Sequence, residues 1–551
     1  MKIKACHVSD STRDTFRAFH PQNESRGRSS SSDLYISWRN LGNATDINLK
    51  ELKGFLSQHG GYNSEIRVID AILAVRGGDL TVKVPSYDAF YGMLIAALRQ
   101  SRIRGWLFKG GTPFLIEKIA EDAESFKNHS TNPSVSIRLK AYGLLRAECS
   151  AYSKPESHHA VLDPSNVCRR TIDRALDTIG LVRETPTLLA EYDETMERFN
   201  ASRSKFGRKM VFTGTPVAVD GGGYNRERTA IRSTSVILDM SERDYGTTPI
   251  ENPSMLADPD NGEDGLTCPT LPFLRVFDLK TQDYILVNVD DLEDYVYNKN
   301  MRKNLVLPEA HARLLDVMTD SDIIIGDDLI DGKKAPRILI FRGDPGLGKT
   351  LTAEAYSEIT ETPIYAIHAG NFGTNPENIE RSLQETFARA ARWGCYILID
   401  ECDVFVTKRS AMSPITQNAI TAVFLRALEY YDGLIFMTTN RGTDIDDAIL
   451  SRAAGVVSYD RPTDEERKKI WSIQSQHFNA GLSPELIDAL VKLFDKVSGR
   501  DIRGLLTTIL RVSKHTKTPI SLQMFVDYAV FKNIAVNESA YQAYCKEKKP
   551  A

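Results

Sequence analysis

The sequence predicts an α/β fold, a parallel sheet with helices on both faces and a helical domain after it, preceded by a mixed α+β region. Two observations carry this prediction. Continuous apolar runs indicate buried strands at residues 337–341, 395–399 and 434–439. A helical pattern at residues 351–358 follows the first run, as in the strand–helix units of parallel sheets.

Length and composition limit the class of protein. The 551 residues are too many for one compact core, and we expect about three or four structural units. A net charge of −4 excludes a chain whose whole surface is adapted to nucleic acid, while a local basic patch remains open. No apolar run approaches the ~20 residues that span a bilayer, so we expect no membrane partner.

The cysteines indicate the compartment. Seven cysteines are scattered along the chain without a C-x-x-C pair, which argues against a disulfide framework and against a zinc ribbon. Because their number is odd and no signal peptide is recognisable, the sequence predicts a reducing, cytoplasmic location.

Composition shifts divide the chain into segments. Residues 23–32 form a polar Ser/Arg run that cannot bury surface, and residues 258–265 form an acidic, turn-rich linker. The predicted segments are a flexible tail (1–32), an α+β N-terminal region of unknown role in one or two units (33–265), a β-hairpin connector (266–302), a large α/β domain (303–461), a helical lid domain (462–538) and a C-terminal tail (539–551).

Periodicity predicts the elements that precede the parallel sheet. Alternating residues predict strands at 35–38, 80–84, 211–213 and 235–239. Amphipathic spacing predicts helices at 87–99, 117–126, 138–151, 171–179 and 188–200. The runs at 273–278 and 284–290 flank a turn and predict a hairpin, and Pro308 begins a helix over 309–318.

A basic neighbourhood lies between residues 198 and 232. It could hold a phosphate backbone, because Lys and Arg neutralise phosphate charge. Aromatic side chains are too sparse between these charges for a base-stacking platform, so a solvated charged face is the alternative. The basic residues are Arg198, Arg203, Lys205, Arg208, Lys209, Arg226, Arg228 and Arg232.

A phosphate-binding loop is indicated between the first buried run and its helix. The pattern G-x-x-x-x-G-K-[ST] in this context turns consecutive N–H groups inward, and the helix start adds positive dipole. Lys349 would reach the β- and γ-phosphates of a nucleotide, and the Thr350 hydroxyl would bind Mg²⁺. The candidate nucleotide-binding residues are Gly343, Asp344, Pro345, Gly346, Leu347, Gly348, Lys349, Thr350 and Leu351.

Polar side chains end the next two buried strands. Asp400 and Glu401 follow the strand of residues 395–399, which brings them to the same sheet edge as the phosphate loop. Asp400 can hold Mg²⁺ through its waters, and Glu401 can polarise the water that attacks the γ-phosphate. Asn440, after the strand of residues 434–439, can hydrogen-bond the γ-phosphate or that water. The sequence therefore predicts hydrolysis of a nucleoside triphosphate with Mg²⁺.

Two arginines follow these carboxylates along the chain. Arg452 ends a short helix over 445–452, where it could complete the site of a neighbouring subunit and supply transition-state charge. Arg500 opens a helix of the lid domain and could reach back to the phosphates. Either could instead be a capping or surface residue, but their order and spacing favour a functional role.

Together these motifs resemble those of the AAA+ ATPases, and within them the classical AAA branch of protein-remodelling motors. Residues 303–533 carry the resemblance. Residues 343–350 are similar to the Walker A motif, residues 397–401 to Walker B, Asn440 to sensor 1, Arg452 to the arginine finger and Arg500 to sensor 2. Residues 418–452 and the hairpin are also similar to a largely fungal group of AAA proteins. The resemblance implies an α/β domain with a helical lid, usually in a hexameric ring with ATP bound between subunits.

The pore loop of that family follows the second strand of the sheet. Asn371-Phe372-Gly373 stands where remodelling members carry an aromatic–hydrophobic–glycine tripeptide that grips a threaded polypeptide, so Phe372 is the candidate gripping residue. A buried loop anchor is the alternative for Phe372. The chain also departs from the family pattern, because Arg452 stands where classical members often carry two arginines and Arg500 where they usually carry alanine.

The expected function is that of an oligomeric, hexameric Mg-ATP-dependent remodelling motor. Its client would be a protein or protein complex recruited by the N-terminal region. The alternative is a nucleotide-gated assembly switch or loader that works without threading, with nucleic acid as a conceivable partner.

Overall fold

The computed structural model describes most of the chain. The described residues are 2–4, 16, 34–36, 41, 44–100, 102–122, 134–142, 156–216, 231–240, 267–320, 337–373, 375–408, 415–428, 431, 433–441 and 444–547. None of the helices within these ranges is long and apolar enough to cross a membrane. The Ser/Arg run of residues 23–32 and the linker of residues 258–265 lie outside them.

The N-terminal helices pack on an antiparallel sheet. The helices are α1 (Asp46–His59), α2 (Asn63–Arg76), α3 (Tyr87–Gln100), α4 (Pro164–Val167) and α5 (Ile172–Asp177). The strands are β3 (Trp106–Lys109), β4 (Thr112–Asp122), β5 (Ser134–Ala141), β6 (Glu156–Leu162) and β7 (Leu181–Arg183), in the sheet order β6-β5-β4-β3-β7. Helix α3 is buried along most of its length against the inner face of this sheet.

Part of the predicted flexible tail belongs to this core. Strand β1 (Lys2–Ile3) pairs antiparallel with β2 (Leu34–Tyr35). The side chains of Ile3 and Phe16 are buried in the same hydrophobic cluster as helix α3. Burial of these apolar groups attaches the first residues to the N-terminal helices and sheet. The polar run of residues 23–32 gives no indication of this attachment.

Three predicted elements of this region are wrong. Residues 80–84 form no strand but a connection between α2 and α3, with Val84 buried. The described parts of the predicted helices at 117–126 and 138–151 are strands β4 and β5, which pair with each other. Ile119 opposes Ile137 in this pair, and both are buried. Cross-strand packing of β-branched residues therefore overrides the helical propensity of the local sequence.

The predicted hairpin belongs to a second antiparallel sheet rather than forming a separate connector. Helix α6 (Pro186–Arg203) precedes this sheet. Its strands are β8 (Lys209–Gly214), β9 (Ile231–Leu238), β10 (Phe273–Asp278), β11 (Asp283–Asn288) and β12 (Leu292–Asp294), in the order β11-β10-β9-β8-β12. The hairpin β10–β11 has the predicted position, and β10 also pairs with β9 from the region before residue 265.

The parallel sheet has the predicted buried strands at its centre. Its strands are β13 (Arg337–Gly343), β14 (Ile364–His368), β15 (Tyr396–Asp400), β16 (Leu434–Thr439) and β17 (Ala453–Tyr459), in the order β14-β15-β16-β13-β17. Its helices are α7 (Glu309–Thr319), α8 (Lys349–Ile359), α9 (Pro376–Trp393), α10 (Asp403–Val406), α11 (Ile415–Leu428) and α12 (Asp447–Leu450). Every described strand pair in this sheet is parallel, and helices cover the sheet on both faces.

A helical domain follows the sheet. Its helices are α13 (Asp464–His477), α14 (Pro484–Leu493), α15 (Gly499–Thr516), α16 (Leu522–Ala529) and α17 (Glu538–Glu547). They pack around the fully buried Trp471. Helix α17 lies where a tail was predicted. It is held because the Asn537 N–H donates to the Leu493 carbonyl at 2.9 Å and Tyr541 packs against the helical core.

The second antiparallel sheet packs directly against the parallel-sheet domain. The ring centroids of Phe277 in β10 and Trp393 in α9 are 5.1 Å apart. The buried Asp239 carboxylate accepts a hydrogen bond of 2.8 Å from the Arg392 guanidinium in α9. Gly207 has φ +74°, and a Cβ there would lie 2.8 Å from the Trp393 carbonyl oxygen. Packing at this contact therefore requires glycine at position 207.

We expect Gly207→Ala to lower the free energy of unfolding by about 2–4 kcal/mol, from strain at positive φ together with the backbone clash. The matched control is Gly180→Ala, because Gly180 has φ +71° but open space at its Cβ position. The control variant should lower the free energy of unfolding by about 1 kcal/mol, because it introduces only the strain at positive φ. Denaturant unfolding followed by circular dichroism measures both. Equal losses for the two variants would contradict the tight contact.

Candidate functional site

Three polar segments meet at the carboxyl edge of the parallel sheet. The phosphate loop, residues 343–350, leaves β13; Asp400 ends β15; and Asn440 follows β16. In the sheet β13 pairs with β16, and β16 pairs with β15. Because adjacent parallel strands end at the same edge, the fold brings these segments together.

Two glycines of the phosphate loop are required by the backbone. Gly343 has φ +147°, and a Cβ there would lie 2.3 Å from the carbonyl oxygen of Tyr459 in β17. Gly348 has φ +99° and caps the start of helix α8. Only glycine adopts these conformations without strain, so the loop can turn directly from strand into helix.

The ammonium group of Lys349 lies at the centre of the site. Its Nζ donates to the carbonyl oxygens of Gly343 at 2.6 Å and Asp344 at 2.9 Å, and to Asn440 Oδ1 at 2.8 Å. Burial lowers the pKa of Lys349, and the carboxylates of Asp400, Asp403 and Asp344 oppose this effect. A half-desolvated cation with several acceptors around it is suited to bind phosphate oxygens.

Thr350 and Asp400 form a pair of oxygen donors. The Thr350 hydroxyl donates to Asp400 Oδ1 at 3.0 Å, and the Thr438 hydroxyl donates to the same oxygen. A hydroxyl and a carboxylate at this separation fit Mg²⁺, which takes few protein oxygens and keeps several waters. These two residues would hold the ion beside the phosphate loop.

Glu401 has an unusual backbone conformation. Its φ is +55°, in the left-handed region that a non-glycine residue rarely adopts. The Glu401 N–H donates to Thr438 Oγ1 at 3.0 Å, which holds the residue in this conformation, and its side chain is exposed. This conformation costs of order 1–3 kcal/mol, and the exposed carboxylate is accessible to water, from which it could accept a proton.

Asp403 is a site residue that the sequence interpretation missed. Its carboxylate accepts hydrogen bonds from the Thr439 hydroxyl and from the Asn440 N–H, the latter at 3.1 Å. It thereby positions Asn440, which contacts Lys349. The signal for Asp403, Thr438 and Thr439 was present in the sequence as polar residues close to Glu401 and Asn440, but their contacts join segments that are far apart in the chain.

The helical domain contacts the phosphate loop. The Arg500 N–H donates to the Gly346 carbonyl at 3.2 Å. A Cβ on Gly346 would lie 2.8 Å from the Arg500 Cβ and 2.9 Å from Ser498 Oγ. The Arg461 guanidinium also lies 3.5 Å from the Asp344 carboxylate. The loop therefore lies between the sheet and the start of α15, with the Arg500 backbone beside it. That the Arg500 side chain reaches the phosphates stays a prediction.

The remaining predicted nucleotide-binding residues lie around the loop. Pro345 is exposed, and Leu347 packs partly against the cluster of Phe341, Tyr356 and Tyr459. Leu351, in the first turn of α8, keeps 45% of its surface exposed.

Arg452 lies at the opposite edge of the sheet. It directly precedes β17, whose Ala453 pairs with Ile338 near the start of β13. Gly343 at the other end of β13 is five residues away, about 16 Å at ~3.3 Å per residue. The Arg452 guanidinium donates to the Ala448 carbonyl at 3.0 Å. Within one chain, the sheet separates Arg452 from the phosphate loop.

Phe372 is a buried residue. It ends the turn of residues Ala369–Phe372 after β14, and only 4% of its surface is exposed. Its ring lies edge-on to Phe405 at a centroid distance of 5.7 Å, and Phe405 stacks on Phe424 at 4.6 Å. This geometry favours the loop-anchor alternative for Phe372 in the single chain.

Three residues of the basic neighbourhood form ion pairs with acidic residues of the chain. Arg198 pairs with Asp290 at 3.0 Å, and Lys205 pairs with Asp294 at 2.7 Å. Lys209 pairs with Glu358 of α8 at 3.2 Å. Arg226 and Arg228 lie outside the described residues. These ion pairs favour a structural face over a nucleic-acid surface.

Comparison with known proteins identifies the parallel-sheet domain. Residues 339–460 match the family described as "ATPase family associated with various cellular activities (AAA)". This segment contains the phosphate loop, the Asp400 and Asn440 strands, and Arg452. AAA ATPases use ATP with Mg²⁺, which agrees with the donor groups of the site.

Several curated proteins are similar to part of the chain. The 26S proteasome regulatory subunit 4 homolog of Schizosaccharomyces pombe is 24% identical over 257 residues, 44% of this chain and 52% of that protein. The putative 26S proteasome regulatory subunit homolog of Methanothermobacter thermautotrophicus is 30% identical over 192 residues, 33% of this chain and 50% of that protein. The chain spans about half the length of these relatives.

Two solved structures show a weak likeness. The FIGL-1 AAA domain in complex with ADP has a TM-score of 0.34 and 20% identity, over 44% of this chain and 87% of that chain. A chain of the E. coli MS115-1 HORMA:CdnC:Trip13 complex has a TM-score of 0.32 and 18% identity, over 42% of this chain and 87% of that chain. The fold assignment depends on the sheet order and the family match, not on these scores.

We expect Asp403→Ala to slow ATP hydrolysis by about tenfold to a hundredfold, because the Asn440 N–H and the Thr439 hydroxyl lose their charged acceptor. The affinity for ATP should change little, since Lys349 and the loop remain. Phosphate release and binding of a fluorescent ATP analogue measure the two effects.

The matched control for Asp403→Ala is Asp444→Ala, which removes an exposed carboxylate paired with Arg441. Wild-type turnover in the Asp403 variant would show that Asp403 does not position Asn440.

Proposed function

The chain contains an AAA ATPase domain, and on this premise we propose that the protein is a Mg²⁺-dependent ATP hydrolase working as an oligomeric remodelling motor. Its client is a protein or protein complex recruited by the N-terminal region. The observation that supports ATP hydrolysis is the convergence of Lys349, the Thr350–Asp400 oxygen pair and Asn440 at one sheet edge. A cytoplasmic location remains part of the proposal, from the scattered cysteines.

The site residues divide the work of phosphoryl transfer. Lys349 would exchange its carbonyl acceptors for the β- and γ-phosphate oxygens. Mg²⁺, held by Thr350 and Asp400, would neutralise developing charge on those oxygens. Glu401 accepts the proton of the attacking water, and Asn440 orients that water or the γ-phosphate. Each role requires positioning rather than covalent chemistry.

Arg452 supports an oligomer. The sheet separates it from the phosphate loop of its own chain by about 16 Å along β13. It can therefore supply transition-state charge only to the loop of an adjacent subunit. A head-to-tail contact of this kind closes into a ring, and the hexamer is the usual size in this family.

Motion of the helical domain would convert hydrolysis into work. The start of α15 contacts the phosphate loop through Arg500 and Ser498, and Arg461 contacts Asp344. A change at the γ-phosphate would alter these contacts and shift the helical domain relative to the sheet.

One observation favours a second function, a nucleotide-gated assembly switch that works without threading. Phe372, the residue expected to grip a polypeptide, is buried against Phe405. A switch needs no exposed gripping residue, whereas a threading motor must expose Phe372 during its cycle.

We expect Arg452→Ala and Lys349→Ala to be inactive alone and active when mixed. The Arg452→Ala subunit keeps an intact phosphate loop, and a Lys349→Ala neighbour supplies the arginine. In a random 1:1 mixture about one quarter of the sites would be complete. Phosphate release measures turnover, and each arginine is expected to be worth about 10³-fold or more.

The control for the mixing experiment is Arg313→Ala, which removes an exposed arginine that pairs with Glu309 on helix α7. This variant should retain turnover alone. If Arg452→Ala hydrolyses ATP at the wild-type rate without a partner, the shared site is wrong at this residue.

Phe372→Ala separates the two candidate functions. In a threading motor, β-casein should stimulate ATP turnover of the wild type but not of the variant, while basal turnover remains. In a switch, β-casein should stimulate neither protein. Thermal unfolding of the variant checks that loss of the buried ring has not unfolded the domain.

A further inference from the structure

The turn of the β10–β11 hairpin has a strained residue. Asp278 pairs with Asp283 across the hairpin, so residues 279–282 form the turn. The last of them, Gln282, has φ +58°. Turns of this kind favour glycine or asparagine at the left-handed position, because other side chains are strained there. The presence of glutamine calls for a compensating contact.

The Gln282 side chain makes that contact with the ATPase domain. Its Nε2 donates to the Ala366 carbonyl of β14 at 2.9 Å. Its Oε1 accepts a longer hydrogen bond of 3.4 Å from the Asn371 side chain. Leu279 of the same turn packs against the hydrophobic core of the parallel-sheet domain. The hairpin turn therefore holds both β14 and the segment after it.

The segment after β14 contains two glycines, which allow its backbone more conformations than other residues would. It comprises residues 369–373, which we call the Phe372 loop. Gly370 and Gly373 flank Asn371 and Phe372, and Gly373 has φ +78° with open space around its Cβ position. In the present structure the Phe372 ring is held inside by Phe405, while Asn371 on the outside is held by Gln282.

We propose that the hairpin turn of residues 279–282 is an inhibitory clamp that keeps Phe372 buried. Gln282 fixes the end of β14 and the Phe372 loop, and movement of the second antiparallel sheet withdraws it. The glycines then let the loop turn outward and expose the ring. The N-terminal region thereby controls access to Phe372. The inference rests on the proposed function in one respect, that the exposed Phe372 contacts the client.

Substitutions at Gln282 separate the clamp from the stability of the hairpin. Gln282→Gly removes both hydrogen bonds to the ATPase domain but relieves the strain at φ +58°, so the hairpin itself should not be weakened. Gln282→Ala removes the same bonds and retains the strain. The matched control is Thr281→Ala, because the Thr281 hydroxyl bonds to Asp278 within the hairpin at 3.0 Å.

Hydrogen–deuterium exchange of the full-length protein, read by mass spectrometry, tests the clamp. Amides of residues 369–373 should exchange about tenfold faster in both Gln282 variants, the effect of losing one to two net hydrogen bonds. Thr281→Ala should exchange like the wild type. Equal exchange in all four proteins would overturn the clamp.

Turnover measured in the same variants tests the proposed function separately. With the clamp removed, β-casein should stimulate ATP hydrolysis of Gln282→Gly more than that of Thr281→Ala. Faster exchange without any stimulation would support the clamp and contradict the threading function of Phe372. Unchanged exchange would reject the clamp whatever the turnover shows.

Discussion

The parallel register of β13 with its two neighbours is the constraint on which the site depends. Pairing with β16 brings Asn440 to Lys349, and the next strand, β15, brings Asp400 to Thr350. Pairing with β17 places Arg452 at the far end of the same strand. A single sheet order therefore brings the phosphate-loop residues together at one edge and places Arg452 at the opposite edge, where the proposed role in an adjacent subunit's site would require it.

Buried charge makes this arrangement sensitive to its neighbours. The Lys349 ammonium is partly desolvated, and its pKa is lowered by burial, so it depends on acceptors supplied by the loop and by Asn440. Asp403 supports Asn440 from behind, and Thr438 contacts both Asp400 and the Glu401 N–H. These contacts connect three strands, so a change at one strand end alters the geometry at the others.

The N-terminal region is coupled to the ATPase domain through several separate contacts. Asp239 reaches Arg392 in α9, while Lys209 and the Tyr295 hydroxyl reach Glu358 near the end of α8. Helix α8 begins at the phosphate loop, so the contacts with Glu358 lie at the far end of the helix that follows this loop. Together with the Gln282 contact, they give the N-terminal region a physical route to the nucleotide site and to the Phe372 loop.

Local patterns in the sequence determined the phosphate loop, the central buried strands, the hairpin and the helices predicted at residues 309–318 and 351–358. These features depend on residues close together in the chain, such as glycine spacing and apolar runs, and the family match over residues 339–460 supports the phosphate loop and the central strands. The pattern also predicted Lys349, Asp400 and Asn440 near one another, because parallel strands share an edge. Arg500 was predicted to reach this edge from a helix of the lid domain.

Only the tertiary structure decided the strands of the N-terminal sheet, the role of Asp403, the burial of Phe372 and the sheet that the hairpin joins. The segments of β4 and β5 were predicted as helices because local spacing does not show which strand each one pairs with. Asp403 at the start of α10 contacts Asn440, which follows β16, and the burial of Phe372 depends on Phe405 from a different segment. The hairpin joined a larger sheet because β9, from the other side of the linker, supplied the edge that β10 needed. Such contacts leave no local periodicity, and only the folded chain brings their partners together.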